Sequence, residues 1–191
     1  ENQAFRQSQT ALSAYWIELN GFSHKYHTPS LGFPWSIPFE FPIYQSIVAQ
    51  LSQFGLKLES SGRLVSYVFY LFLLLPLYRI SELINLSKSG YYLLGSFYLF
   101  SPIYLFWGRA FMIESTALFF ALTHVVLLAQ YYQKPKYLPL IFGVLFGVLA
   151  VLTKATTLPA FTLGAVALFL HLRYSEHAKI NIAHKRSVLA L

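Results

Sequence analysis

The fold is decided by an apolar stretch near the end of the chain, residues 138–170, which reads LPLIFGVLFGVLAVLTKATTLPAFTLGAVALFL. Its single charged residue is Lys154. A helix needs about 20 apolar residues to cross the hydrocarbon core of a bilayer. The stretch therefore predicts two membrane-spanning helices joined by a tight turn at Lys154.

The composition of the whole chain supports a membrane protein. Of its 191 residues, 56% are hydrophobic and 11% are charged, whereas soluble proteins carry roughly 25% charged residues. We predict an all-α, polytopic membrane helix bundle of about five spans. The predicted spans cover residues 64–84, 91–108, 112–132, 137–153 and 157–173.

Residues 1–63 are predicted to lie on the outer face as a loop with two amphipathic interfacial helices. The first covers Gln3 to Leu19 and ends at Asn20-Gly21, a typical helix C-cap. The second runs from Pro42 to Phe54-Gly55, with Pro42 in its first turn. Residues 64–173 then form the transmembrane bundle. Residues 174–191 form a cytoplasmic segment leading to a further span of a longer protein.

The orientation follows from the distribution of basic residues, which favour the cytoplasmic side of a membrane. The outer connections hold only Arg109 and Lys154. The inner segments hold eight basic residues: Arg79, Lys88, Lys134, Lys136, Arg173, Lys179, Lys185 and Arg186. We expect an integral protein of a bacterial inner or plasma membrane, with its active site on the periplasmic or extracellular side.

The net charge of +7 does not indicate nucleic-acid binding, because the basic residues are scattered between apolar runs and form no stripe. Anionic lipid headgroups explain them better. The chain has no Cys and no Asp, so thiol chemistry is excluded and any carboxylate chemistry falls on Glu.

Two outer turns carry ionisable residues. Arg109 and Glu114 stand where one predicted span ends and the next begins, a depth at which charged groups usually mark a function. The competing interpretation is an interfacial cap with a snorkelling Arg. Lys154 lies on the predicted outer side, although basic residues favour the inner side, and this position is explained if Lys154 binds an anion. Backbone N–H groups near Thr156 and Thr157 would assist it. Its competing interpretation is again a snorkelling anchor.

Weaker signals come from the outer segment. Glu40 directly precedes a helix, where a capping carboxylate is the ordinary explanation. Arg6, taken alone, is a solvated residue or a lipid-phosphate contact. His24 and His27 are a weak metal signal. The predicted topology nevertheless places Arg6, Glu40, Arg109, Glu114 and Lys154 on one side of the membrane, where carboxylates and cations suit a phosphate leaving group and a hydroxyl nucleophile.

These segments resemble the GT-C glycosyltransferases that use polyprenyl-phosphate sugars, above all protein O-mannosyltransferases and the aminoarabinose transferase of lipid A. The resemblance rests on four stretches in family order: residues 4–11 (AFRQSQTA), 40–44 (EFPIY), 112–118 (MIESTAL) and 152–156 (LTKAT). It departs from the family at the first loop, where an Asp normally stands and this chain has Gln3 and Ala4, with Glu1 nearby.

The resemblance implies an inverting transfer of sugar from an undecaprenyl, dolichyl or similar phosphate to a hydroxyl of a lipid, glycan or protein. Glu114 would act as the base, assisted by Glu40 or Glu1. The donor phosphate would be bound by Lys154, Arg6 and Arg109. Substrate contacts would come from Gln3, Gln7, Thr10 and Tyr44.

Two other functions fit the same sequence. A flippase of lipid-linked glycans would need polar groups midway along the spans, where His124 is the chief candidate, and we expect His124 to bond a neighbouring helix. A catalytically inactive membrane subunit of the same fold is the second alternative. No residues are assigned as metal ligands, although two carboxylates facing one pocket leave a divalent ion open as a cofactor.

Overall fold

The structure is a computed structural model that describes residues 2–23 and 40–189, with side chains for 4–23 and 40–175. The described part is all helical and contains no strand, as predicted. Its helices are α1 Asn2–Asn20, α2 Ile43–Ser52, α3 Leu58–Phe72, α4 Leu74–Leu83, α5 Lys88–Phe100, α6 Pro102–Arg109, α7 Glu114–Gln133, α8 Tyr137–Thr153 and α9 Leu158–Leu189, with a 3₁₀ turn at Ala155–Thr157.

Three helical segments of the described chain are long and apolar enough to cross a membrane: Leu58–Leu83, Glu114–Gln133 and Ala155–Ser175. Helix α8 is equally apolar but shorter, at 17 residues. These segments support the membrane class, but the count of five spans is not confirmed. The first segment also begins six residues earlier than the predicted span 64–84.

The predicted span over 91–108 is not a continuous helix. Helix α5 ends at Phe100, and Ser101 is extended, with φ −64° and ψ 123°. Pro102 explains the break, because a proline lacks the N–H that would continue α5 and pushes the preceding residue out of the helical region. Helices α5 and α6 have 13 and 8 residues and are individually too short to span.

Helix α7 packs most closely against α8, and glycines on α8 make this contact possible. A Cβ on Gly147 would lie 2.6 Å from the His124 ring, and one on Gly143 would lie 3.1 Å from Leu128. Small residues four apart let membrane helices approach in this way. The Nδ1 atom of His124 is 2.7 Å from the Gly143 carbonyl oxygen. The expected bond of His124 to a neighbouring helix is thus confirmed.

Helices α1 and α2 pack on the end of the bundle where α7 begins. Ala14 and Val48 are buried there with Phe111 and Ile113 of the short segment between α6 and α7. Gly21 ends α1 with a φ of +76°, which confirms the predicted C-cap. Both predicted helices exist, whereas their position at a membrane interface stays a prediction.

Helix α9 continues through residue 173, where the predicted bundle ends, and reaches Leu189. The large side chains on its first turns are mostly exposed, including Leu163 at 71% and Leu170 at 62%. A bilayer would cover such a surface, since apolar side chains of this size are costly to expose to water.

Candidate active site

The candidate site is built around Glu114, the first residue of α7. Its side chain is only 6% exposed, and its Oε1 atom lies 2.8 Å from both Lys154 Nζ and Arg6 Nη2. The carboxylate also stands at a helix N-terminus, where the helix dipole favours negative charge. The structure therefore brings Glu114 together with two cations from remote parts of the chain.

The second oxygen of Glu114 differs from the first. Oε2 is buried and has no hydrogen-bond partner among the described residues. Buried polar atoms in proteins are nearly always bonded to something. This oxygen therefore keeps an unused hydrogen-bond acceptor.

Lys154 interrupts the apolar hairpin and turns its side chain inward. It caps the C-terminus of α8 with an extended backbone, φ −159°, and its side chain is 15% exposed. Its carbonyl oxygen accepts the Thr157 hydroxyl at 2.7 Å and the Thr157 amide at 3.2 Å. The expectation that the Thr157 amide would assist an anion is therefore wrong, because the turn itself uses that donor.

Glu40 is placed beside this centre by a backbone bond. The amide of the next residue, Phe41, donates to the Leu152 carbonyl at 3.2 Å, which ties the segment before α2 to the end of α8. The pKa of Glu40 is raised to about 7, chiefly by burial; the positive Lys154 opposes the rise, the negative Glu114 adds to it, and Arg6 opposes it. Glu40 consequently changes charge near neutral pH.

A buried network of hydroxyl groups, formed by Tyr44 and Ser66, bonds the backbone just before Glu114. Tyr44 is fully buried, and its hydroxyl is 2.8 Å from the Gly62 carbonyl oxygen and 2.9 Å from Ser66 Oγ. Ser66 Oγ in turn donates to the carbonyl of Met112, two residues before Glu114. Burial raises the pKa of Tyr44 well above its ordinary value, so its hydroxyl stays protonated. Tyr44, predicted to bind substrate, is placed where it holds the backbone that carries Glu114.

Helix α1 supplies the remaining predicted residues. Arg6 contacts Glu114, as described, while its side chain as a whole stays 46% exposed. Thr10 donates its hydroxyl to the Arg6 carbonyl at 3.0 Å, within α1 itself. Glu1, the side chain of Gln3, and both His24 and His27 lie outside the described residues.

Arg109 lies apart from this centre. Together with Gln7 and Arg63 it lines a separate cleft of about 510 Å³. Arg63 donates to the Arg109 carbonyl at 3.3 Å. The structure thus groups Arg6, Glu40, Glu114 and Lys154, and it does not bring Arg109 into that group.

An apolar groove reaches the centre from the side. It has a volume of about 390 Å³ and lies between α7, α8 and α9. Lys154 lines one part of it, and the other lining residues are mostly apolar, such as Val148, Leu158 and Phe161. A groove of this kind can hold a hydrocarbon chain while Lys154 contacts its polar end.

The divalent ion that the sequence left open as a cofactor stays a prediction. Among the described residues there is no group of three or more His, Cys, Asp or Glu side chains that could hold an ion. Oε1 of Glu114 is already bonded to two cations.

Sequence reasoning missed Ser66, which bonds the carbonyl of Met112 two residues before Glu114, and Arg63, which lines the cleft with Arg109. Ser66 lies within an apolar helix, and its spacing from Tyr44 and Met112 gives no local pattern. Arg63 could have been noticed as the cation four residues after Glu59, a pair that forms at 2.9 Å.

Comparisons of the chain with protein-family models, with curated proteins and with solved structures found no match.

Proposed function

We propose that this protein is an integral-membrane glycosyltransferase that moves a sugar from a polyprenyl-phosphate donor to an acceptor hydroxyl, with inversion. One observation carries the proposal: Lys154 belongs both to the buried charge centre at Glu114 and to the apolar groove between α7, α8 and α9. A lipid phosphate has the same two parts, an anionic head and a long hydrocarbon chain.

Lys154 and Arg6 would bind the donor phosphate. An ammonium is a compact charge suited to phosphate, and a guanidinium can add two parallel hydrogen bonds. Arg6 is half exposed and so remains accessible to a ligand while it contacts Glu114. As the lipid phosphate leaves, its charge grows, and fixed cations in a water-poor site stabilise that charge strongly.

The reaction is a single displacement at the anomeric carbon. The acceptor oxygen forms a bond to that carbon while the bond from carbon to phosphate oxygen breaks. The bonding electrons leave with the lipid phosphate, and the hydroxyl proton passes to a carboxylate. Attack from the face opposite the leaving group inverts the carbon.

The two carboxylates differ in their suitability as the base. A general base works best when its pKa lies near the working pH, and Glu40, with a pKa of about 7, meets this condition. Glu114 is bonded to two cations through Oε1 and offers Oε2 to orient the hydroxyl. We therefore assign proton transfer to Glu40 and orientation of the hydroxyl to Glu114. The sequence-based prediction had instead named Glu114 as the base, with Glu40 or Glu1 assisting.

The decisive experiment replaces Lys154. The purified protein is supplied with a radiolabelled polyprenyl-phosphate sugar and an acceptor, and sugar release is measured. Lys154→Ala should lower turnover at least ~10-fold, because one charge-assisted contact to the phosphate is lost. Lys154→Arg should retain more activity than Lys154→Ala. Lys134→Ala, a matched change at an exposed lysine of the opposite end of α7, should leave turnover unchanged.

Each contrary result has a defined meaning. Wild-type turnover in a folded Lys154→Ala protein contradicts the assignment of Lys154. Movement of the intact lipid across the membrane without sugar release indicates a flippase, and neither release nor movement indicates an inactive subunit. Both results contradict the transferase proposal.

A further inference from the structure

A second cleft, separate from the hydroxyl network, is lined by Arg63 of α3 and Arg109 of α6, so that part of its lining is cationic. The cleft of about 510 Å³ is lined by Gln7, Arg63, Pro102, Leu105, Phe106, Arg109 and Ala110. Arg109 forms no ion pair with a carboxylate among the described residues. Its guanidinium is therefore available to an external anion.

Arg63 is held in place beside Arg109. Its Nε and Nη2 atoms donate to Glu59 Oε1 at 3.2 and 2.9 Å, and its Nη1 atom donates to the Arg109 carbonyl at 3.3 Å. Glu59 thus orients the first guanidinium and cancels one charge. Two guanidinium groups and one carboxylate leave a local charge of +1, which favours an anion.

An apolar groove adjoins the cationic cleft. It has a volume of about 530 Å³ and lies along α5, where Leu93, Phe97 and Phe100 line it. Pro102 lines both spaces, so they lie side by side. The side chains of Phe97 and Phe100 are 70% and 78% exposed. Moving from Leu93 toward Arg109, the surface changes from apolar to cationic.

We propose that the groove along α5 and the cleft at Arg109 together form a binding site for an anionic membrane lipid. The phosphate group contacts Arg109 and Arg63, with Gln7 as an additional donor, and a hydrocarbon chain lies against Phe97 and Phe100. This site is separate from the groove at Lys154, and it does not depend on the transferase proposal.

The two-part lining decides between a lipid and a soluble anion. A free phosphate would gain the two guanidinium groups but nothing from the aromatic groove. A zwitterionic lipid would gain the groove but would bring its own cation close to Arg109. Only a lipid with a net negative headgroup matches both halves, since guanidinium groups prefer phosphate oxygens and the groove excludes water from the chain.

Binding is tested with the full chain in neutral detergent micelles. Short-chain phosphatidic acid is titrated, with phosphatidylcholine of the same chains and glycerol phosphate as the comparison ligands. Arg109→Gln should weaken phosphatidic acid binding at least ~10-fold, as expected for loss of a charged hydrogen-bond donor. Arg79→Gln is the control, because Arg79 is also an exposed arginine but lies outside the cleft and is paired with Glu82, and the change should alter binding less than ~2-fold.

Two further variants locate the site. Phe97→Ser should weaken phosphatidic acid and leave glycerol phosphate unaffected, since only the lipid reaches the groove. Lys154→Ala should leave the binding of phosphatidic acid at Arg109 intact. The lipid site is thus tested by binding and the transferase proposal by turnover, so failure of one is distinguished from failure of the other.

Three results would overturn the lipid site. The first is unchanged phosphatidic acid binding by a folded Arg109→Gln protein. The second is equal affinity for phosphatidylcholine or for glycerol phosphate. The third is binding that is lost in Lys154→Ala and retained in Arg109→Gln.

Discussion

The ion pairs at the two ends of the described bundle differ in sequence separation and in exposure. Glu114 meets Arg6 and Lys154, 108 residues before it and 40 residues after it, and is 6% exposed. Arg79 and Glu82 are three residues apart on one helix, and their side chains are 56% and 44% exposed. Local exposed pairs form wherever the helix spacing allows them, whereas a buried pair needs the fold to assemble it.

Loss of the buried ion pair should also cost more free energy of unfolding than loss of the exposed pair. An exposed pair contributes roughly 0–1 kcal/mol, because water solvates each partner almost as well. A buried carboxylate loses its hydration, and removing its partners leaves an uncompensated charge. A group that is costly to bury is seldom kept for stability alone, which is why the Glu114 centre is the functional candidate and the Arg79 pair is not.

The largest effect is expected from Glu114→Gln. The substitution leaves the largely buried Lys154 without its carboxylate, and we expect the free energy of unfolding to fall by about 3 kcal/mol. Glu82→Gln, the same change in the exposed pair, should lower the free energy of unfolding far less, because water solvates both partners. Denaturant unfolding in micelles measures both. Equal losses in the two variants would show that the buried and exposed pairs do not differ as claimed.

An intermediate, pH-dependent effect is expected from Glu40. Its pKa rises from 4.5 to about 7 on folding, so the folded chain keeps a proton that the unfolded chain has released. The contribution of the protonated Glu40 to the free energy of unfolding is complete below pH ~4.5 and is lost as the pH rises through ~7. Glu40→Gln, which cannot ionise, should match the wild type near pH 4.5 and exceed its unfolding free energy by about 2 kcal/mol at pH 8.

Unfolding free energies of both proteins at a series of pH values test this prediction. Glu18→Gln is the control, because it makes the same change at another glutamate, one that accepts the Ser52 hydroxyl on the far part of α1. Parallel pH profiles for the wild type and Glu40→Gln would contradict the raised pKa.

The smallest of the three effects is expected from the network under Glu114. Tyr44→Phe removes a hydroxyl that bonds the Gly62 carbonyl and Ser66, and should lower the free energy of unfolding by about 1–2 kcal/mol. Tyr92→Phe removes the hydroxyl of a tyrosine that is 67% exposed and should be neutral within ~0.5 kcal/mol. A neutral Tyr44→Phe would mean that the network does not hold the backbone of Met112.

Much of the fold could be predicted because membrane helices depend on local composition. The α8 boundaries, Tyr137–Thr153, coincide with the predicted span, and the turn at Lys154 falls where a single charge interrupts the apolar run. The break at Pro102 was missed, although proline is its local cause. Neighbouring helices can satisfy a kinked backbone in one protein and not in another, and the sequence alone does not distinguish these outcomes.

The candidate site was predicted in part. The convergence of Arg6, Glu40, Glu114 and Lys154 follows from placing every outer turn on one side of a membrane. The displacement of Arg109 into another cleft did not follow, because the predicted membrane side and depth are the same for Arg109 as for Glu114. The role of Tyr44 was also not foreseen, since its partners lie on α3 and are 18 and 22 residues away.

The sequence by itself determined that this chain is helical, apolar enough for a bilayer, and charged at a few helix ends, because helix length and hydropathy depend on neighbours along the chain. Only the tertiary structure decided which charges meet. Coulomb energy depends on distance and burial in space, and these are set by the packing of α1, α7 and α8 around Glu114.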